Sequence, residues 1–434
     1  MRYDKVLTGR PRCQSAKGFH SRGLWVIVLA MMVAGGRVRA ADNTDDKTID
    51  WPTVISKLHQ EMYQRSGNAQ TRQQLAVAYN NYGVSLGDQS QWSLATEQFE
   101  EAMRLDTGNE RFKVNLSRLY LKQAHMAYQQ HQTQEATQAV NRAIAVDPDL
   151  AEAYALLGEL EYSNQHLKEA RAAWTRSLTL DPHQSELSKR LSQVTKELPV
   201  ESDFERLSQA YFDLRYEEQI ERSLGFDIRD ALLEARRAVG SDFAYWPKHK
   251  IVVLLYSAES FRRLRQETPD WVAGQFDGKI RVPLPNGIMD QATVKQILFH
   301  EYTHAVIFDV ANGKCPVWLN EGLAEYEGRT QRPSPTAELA RAAAAGHLIS
   351  WAELSDHFSA AMSRDEVALA YQESYSIMHH FVKHYGFWRI RRILKSIGEG
   401  KPWEAVLAEE LRLKLPRVEA TWRESLPELL KQTP

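Results

Sequence analysis

The sequence predicts a multidomain protein: an all-α solenoid of helix-pair repeats followed by an α+β domain. Three observations carry that reading. Residues 76–102 and 151–182 repeat one spacing of small and large apolar positions. Residues 250–256 form an unbroken β-branched and aliphatic run, which suits a central sheet strand. Residues 294–308 read as a mostly buried helix that carries two histidines four positions apart, His300 and His304. At 434 residues the chain is long enough for two or three cores, and its 43% hydrophobic and 25% charged content is that of an ordinary globular protein. With a formal charge of −2, nothing suggests a nucleic-acid binder.

The elements follow in order. Arg2, Lys5, Arg10, Arg12, Lys17 and Arg22 precede an apolar run at 24–34, with Val38 and Ala40 at the −3 and −1 positions of a cleavage point. The run is too short for a bilayer span, which takes about 20 residues, so residues 1–40 read as a signal peptide cut after Ala40, with an uncleaved anchor as the alternative. Export to a bacterial periplasm or beyond is therefore expected, and no other apolar run is long enough to cross a membrane. Cleavage removes eight Lys/Arg and one Asp, moving the charge from −2 to −9. It also removes Cys13 and leaves Cys315 as the single cysteine, which excludes an intrachain disulfide and reads as a buried apolar residue.

Residues 41–72 form an N-terminal linker or helix. Taking Ala76 as position 1, Tyr79, Tyr82, Gly83, Ala95, Phe99 and Ala102 occupy positions 4, 7, 8, 20, 24 and 27. From Ala151, the same places hold Tyr154, Leu157, Gly158, Ala170 and Trp174, and Pro182 stands at position 32. These are the contact positions of a 34-residue tetratricopeptide repeat. Asp147 to Asp181 is 34 residues, but Asp106 to Asp147 is 41. The extra seven amount to about two helical turns, so one helix can lengthen without changing its buried face. Residues 73–198 are read as three repeats with a capping helix at 184–198, and the remaining residues, 199–434, as the second domain. A concave groove for a peptide or protein partner, a brace for the second domain, and self-association all remain open for the repeats.

After a short break at 199–202, residues 204–216 and 222–239 lead into the strand at 250–256. Ser257 caps a helix reaching Arg265. Residues 271–284 read as a hairpin turning at Asp277-Gly278, with Pro283 placing its second strand on an edge. Asp290 or Thr293 caps the helix of His300, and Asn312-Gly313 stops it, letting a second helix near Trp318 fold back. A helix at 370–386 ends at Gly386 and carries Tyr371, Tyr375 and His379. Residues 401–426, with Trp403 and Trp422, read as packing helices.

The chemistry concentrates in His300-Glu301-Tyr302-Thr303-His304, an HExxH motif. Histidines at i and i+4 share a helical face and can bind one metal ion, while Glu301, about 100° away, can reach water at the metal without being a ligand. A catalytic zinc uses three protein ligands and an open position. The returning helix can present Glu321 as the third ligand, with Glu325 one turn on accepting the free N–H of a liganding histidine.

The segment Trp318-Leu319-Asn320-Glu321-Gly322-Leu323-Ala324 resembles that of the gluzincin metallopeptidases, and the combination with repeats is closer still to peptidase MA-like proteins carrying tetratricopeptide repeats. The resemblance implies a gluzincin-like α+β metallopeptidase domain with His300, His304 and Glu321 as Zn2+ ligands, Glu301 as general base and acid, and Glu325 as the support beyond the ligands. Sixteen residues separate His304 from Glu321, fewer than the eighteen or nineteen of better known gluzincins; Glu321 is favoured as ligand, with Glu325 the alternative. Tyr371 matches the tyrosine of the family's "AYxxS" helix and is expected to donate to the oxyanion, ahead of Tyr375 and His379. The hairpin at 271–284 is the implied cradle for extended substrate. The expected function is that of an exported zinc-dependent peptidase acting on peptides or proteins. The alternative is a non-catalytic exported repeat scaffold with an inactive metal domain.

Overall fold

A computed structural model describes residues 49–64, 68–220, 222–264, 278–284, 290–358 and 362–432. The signal-peptide reading of residues 1–40 lies outside these, as does the first half of the 271–284 hairpin. No helix of the described residues is long and apolar enough to cross a membrane.

The N-terminal half is built of helix pairs. Helix α1 (Trp51–Gln64) precedes three of them: α2 (Ala69–Asp88) with α3 (Trp92–Leu105), α4 (Glu110–Gln129) with α5 (Thr133–Val146), and α6 (Ala151–Ser163) with α7 (Leu167–Leu180). A lone helix, α8 (Ser185–Glu201), closes the stack. The repeat signature has a direct steric cause. A Cβ added at Gly158 would fall 2.2 Å from the Trp174 ring, and one at Gly83 would fall 3.1 Å from Phe99, so the small residue of each first helix is the seat for the large residue of the second. The seven-residue excess of the middle repeat resides in α4, which has 20 residues against 13 in α6, while α3, α5 and α7 all have 14. Pro199 does not break the chain, because α8 runs through it to Glu201 before the turn at Ser202.

A four-stranded sheet follows, in the order β1 (Glu205–Ser208), β2 (Phe212–Tyr216), β3 (Ile251–Ser257), β4 (Lys279–Leu284). Strands β1 and β2 occupy part of residues 204–216. They pair antiparallel, while β2 with β3 and β3 with β4 are parallel. Helix α9 (Arg222–Phe243) connects β2 to β3, and α10 (Ala258–Leu264) follows β3. The continuous apolar run of β3 is explained by burial on both faces: Ile251, Val253 and Leu255 join the main core, while Val252, Leu254 and Tyr256 pack with Val200, Phe204 and Phe261. Pro283 sits in β4, which among the described residues is an edge strand, the position that suits its missing N–H.

The rest is helical: α11 (Gln291–Val310), α12 (Val317–Gln331), α13 (Ala337–Ala345), α14 (Arg364–Tyr385), α15 (Phe387–Gly398), α16 (Trp403–Leu411) and α17 (Leu415–Gln432). The Asp290 side chain caps α11 by accepting from Thr293 N at 3.0 Å. Asn312 and Gly313, both at positive φ (49° and 67°), then reverse the chain, and Asn312 Nδ2 and Lys314 Nζ donate to the Gly398 carbonyl. Helix α12 lies back along α11, seated on a tryptophan cluster in which Trp318 contacts Trp351 and Trp403, and Trp351 contacts Trp422.

Candidate metal centre

Helix α11 is largely apolar and is packed between α9, the sheet and α12, while its Gln296–Ile297 and His300–Glu301 side opens to a cleft. The pairing with α12 is antiparallel along the whole length. Asn320 meets His304, Glu325 meets His300, Gly328 faces Gln296, and Arg332 reaches Asp290 at the start of α11. Glycine makes this approach possible: a Cβ on Gly328 would stand 3.0 Å from the Gln296 carbonyl oxygen. On the opposite side of α12, a Cβ on Gly322 would stand 2.4 Å from the Ser374 carbonyl oxygen of α14.

Three side chains converge between the two helices. His300 Nε2 and His304 Nε2 are 3.1 Å apart, and Glu321 Oε2 is 3.6 and 3.5 Å from them. Bonds of about 2.0–2.2 Å in a tetrahedral shell set ligand atoms roughly 3.3–3.6 Å apart, so the three fit one zinc-sized ion. Glu321 Oε2 is buried without a hydrogen-bond partner, which a bound cation would supply. Burial alone would discharge His300, but the neighbouring Glu321 and Glu325 carboxylates outweigh that and hold its pKa well above the ordinary histidine range. The pocket between the helices is built to hold positive charge.

The sixteen-residue connection therefore brings Glu321, not Glu325, into the triangle. Glu325 Oε1 instead stands 3.4 Å from His300 Nδ1, while its other oxygen accepts from Arg329 Nε at 2.9 Å. His304 Nδ1 meets Asn320 Oδ1 at 3.1 Å. Each histidine thus has one nitrogen facing the metal position and one held by α12, which fixes ring orientation. Asn320 and Arg329 were not singled out from the sequence. A signal existed for both: Asn320 adjoins the ligand in the motif, and Arg329 follows Glu325 by one helical turn.

A cleft of about 390 Å³ opens on this group, lined by Gln296, Ile297, His300, Glu301, Glu325 and Tyr371. The three oxyanion candidates separate here. Tyr371 lines the cleft, its ring edge-on to Phe358 at 5.1 Å. Tyr375 is buried beneath the Arg329 guanidinium, 4.2 Å from its ring, and is not among the residues lining the cleft. His379 packs against the Tyr375 and Tyr326 rings and is not among the residues lining the cleft. Cys315 is a free thiol packed against the core, with burial and the nearby Glu321 charge pushing its pKa up.

Residues 287–428 match the family model described as the Peptidase MA superfamily, which spans the two crossing helices and the helical segment behind them. No curated protein matches the chain. Among solved structures, the chain is similar to the first TPR of Spaghetti (RPAP3) bound to an HSP90 peptide, at 22% identity and a TM-score of 0.22, covering 29% of this chain and 94% of that one.

Proposed function

From the Peptidase MA superfamily match of residues 287–428 we propose that this protein is a zinc-dependent peptidase of gluzincin type, exported and acting on peptide or protein substrates. The observation that supports it most is the triangle of His300, His304 and Glu321, set beside a cleft that also holds Glu301 and Tyr371. When bound there, Zn2+ would supply Lewis acidity toward water and a peptide carbonyl. Glu301 takes a proton from water in the cleft on its carboxylate and returns it to the leaving amine nitrogen. The Tyr371 hydroxyl donates a hydrogen bond to the carbonyl oxygen as charge develops on it. Glu325 and Asn320 keep the two imidazoles aimed at the metal position. Strand β4 has no strand partner on its outer edge among the described residues and offers main-chain groups to an extended substrate. The repeats serve as a groove for a substrate or partner protein.

The test is metal analysis of the purified protein together with hydrolysis of a mixed peptide library, with and without chelator. One tightly held zinc at this site and chelator-sensitive cleavage are expected. Glu301→Gln keeps the metal and loses turnover by about 10²–10⁴-fold, the usual contribution of a general base. Zinc bound without any cleavage would favour the non-catalytic scaffold instead. Export predicts a mature N-terminus at Ala41, checked by sequencing the protein recovered outside the cytoplasm.

A further inference from the structure

The far end of α11 carries a second cluster of ligand-type side chains. Asp309 stands five residues beyond His304, near the end of the helix, and its side chain is 2% exposed. His131 Nε2 lies 3.4 Å from Asp309 Oδ1, and His249 Nδ1 lies 3.8 Å from Oδ2. The two imidazoles stack with centroids 4.3 Å apart at 16°, so binding one cation through both in-plane lone pairs requires the rings to turn out of the stack. One ligand atom from each residue falls within 4.8 Å of the other two. The Tyr245 hydroxyl donates to Asp309 Oδ2 at 3.0 Å and so orients the carboxylate. His249 Nδ1 is buried with no hydrogen-bond partner, although it faces this group.

The residues arrive from three separate places. His131 lies in the turn between α4 and α5 of the second repeat, His249 in the segment before β3, and Asp309 on α11. His131 holds a left-handed backbone (φ 56°), as do Ser90 (60°) and Gln165 (61°) at the equivalent turns of the other repeats. Two of these turns reach the second half of the molecule. Gln165 bonds to Glu201, and its carbonyl accepts from Arg215, whereas His131 reaches Asp309. A histidine is not needed to make such a turn, since Asn or Gly adopts it more readily.

We propose that His131, His249 and Asp309 form a second metal site, separate from the His300–His304–Glu321 group, which takes a borderline divalent cation such as Zn2+ and ties the second repeat to the helix of the HExxH motif. Two imidazoles and one carboxylate suit zinc, cobalt or nickel, whereas calcium and magnesium want oxygen-rich shells. A cation bonded to both rings satisfies the orphan His249 nitrogen and the buried Asp309 carboxylate together.

The experiment uses full-length protein stripped with chelator and titrated with Zn2+ against a competing chromophoric chelator. Two equivalents per chain are expected in wild type. The double variant His131→Asn/His249→Asn should bind one. The variant His300→Ala/His304→Ala should also bind one, which is lost when all four changes are combined. A His131→Asn/His249→Asn variant that binds as many equivalents as wild type overturns the proposal, whatever the His300–His304–Glu321 group binds. Should the double variant fold poorly, His131→Asn alone keeps a residue that favours the left-handed turn and leaves the Tyr245–Asp309 bond in place. Its second equivalent should bind at least tenfold more weakly, and unchanged affinity overturns the assignment.

Discussion

Each histidine of the HExxH pair turns one ring nitrogen toward Glu321 and the other toward a side chain of α12, and these outer contacts make the donor set rigid. Asn320→Ala should therefore weaken Zn2+ binding by about 10–100-fold while the helices stay folded, as measured by competition with a chelator. A loss no larger than twofold would mean that packing alone aims His304. Tyr371→Phe should lower kcat by roughly 10–10³-fold with metal content unchanged, the range for one oxyanion donor. Glu373 supplies a test that does not depend on metal. It is fully buried on α14 and accepts from Ile349 N at 3.0 Å, and burial pushes its pKa to about 8. Its folded pKa exceeds the unfolded one, so its contribution to stability is complete below about pH 4.5 and declines as pH rises through about 8. Glu373→Gln should remove that decline, seen as a smaller difference in urea midpoint between pH 5 and pH 9 than wild type shows.

At the scale of elements, the site is the contact between two antiparallel helices. The HExxH pattern identifies α11 because i, i+4 spacing is a local property of the chain. The position of α12 depends on what lies behind it: Gly322 against the α14 backbone, Gly328 against α11, and Trp318 in the tryptophan cluster. Gly322→Ala would force a Cβ to within 2.4 Å of the Ser374 carbonyl oxygen. It should cost about 1–3 kcal/mol of stability by overpacking and weaken metal binding as Glu321 moves, measured by thermal melts and zinc competition on the same sample. The short connection between His304 and Glu321 is accommodated because α11 stops at two left-handed residues and α12 begins almost at once. Spacing counted along the chain cannot choose between Glu321 and Glu325. The crossing of the helices can, since it decides which residue lies between the rings.

Across the whole molecule, helix α8 is shared by the repeats and the sheet. Arg281 of β4 donates to Glu197 of α8 at 2.9 Å and to the Tyr162 hydroxyl of α6 at 2.8 Å, and Tyr256 of β3 donates to Glu201 at 2.6 Å. The acceptors are buried and the Arg281 side chain is 19% exposed, so removing Arg281 takes a neighbouring positive charge from buried carboxylates. Arg281→Met should destabilise by less than the roughly 3–5 kcal/mol of a fully buried pair, and adding Glu197→Gln should restore a large part of the loss in a double-mutant cycle of urea unfolding. Such a network joins the repeats to the sheet through hydrogen bonds as well as packing. Nothing in local sequence announces it, because Tyr162, Glu197 and Arg281 are far apart in the chain and each alone reads as an ordinary helix or strand residue.

The amino-acid sequence by itself determined the helix pairs, the buried strand and the histidine helix, because apolar period, small–large spacing and caps act within a turn or two of the chain. It also named every residue of the His300–His304–Glu321 triangle as a candidate. Only the tertiary structure decided which glutamate faces the rings, which tyrosine lines the cleft, and that Asn320 holds His304. It alone brought His131 and His249 to Asp309. Those outcomes depend on how separate helices cross, and the crossing is set by glycine seats and buried polar bonds between residues distant in sequence.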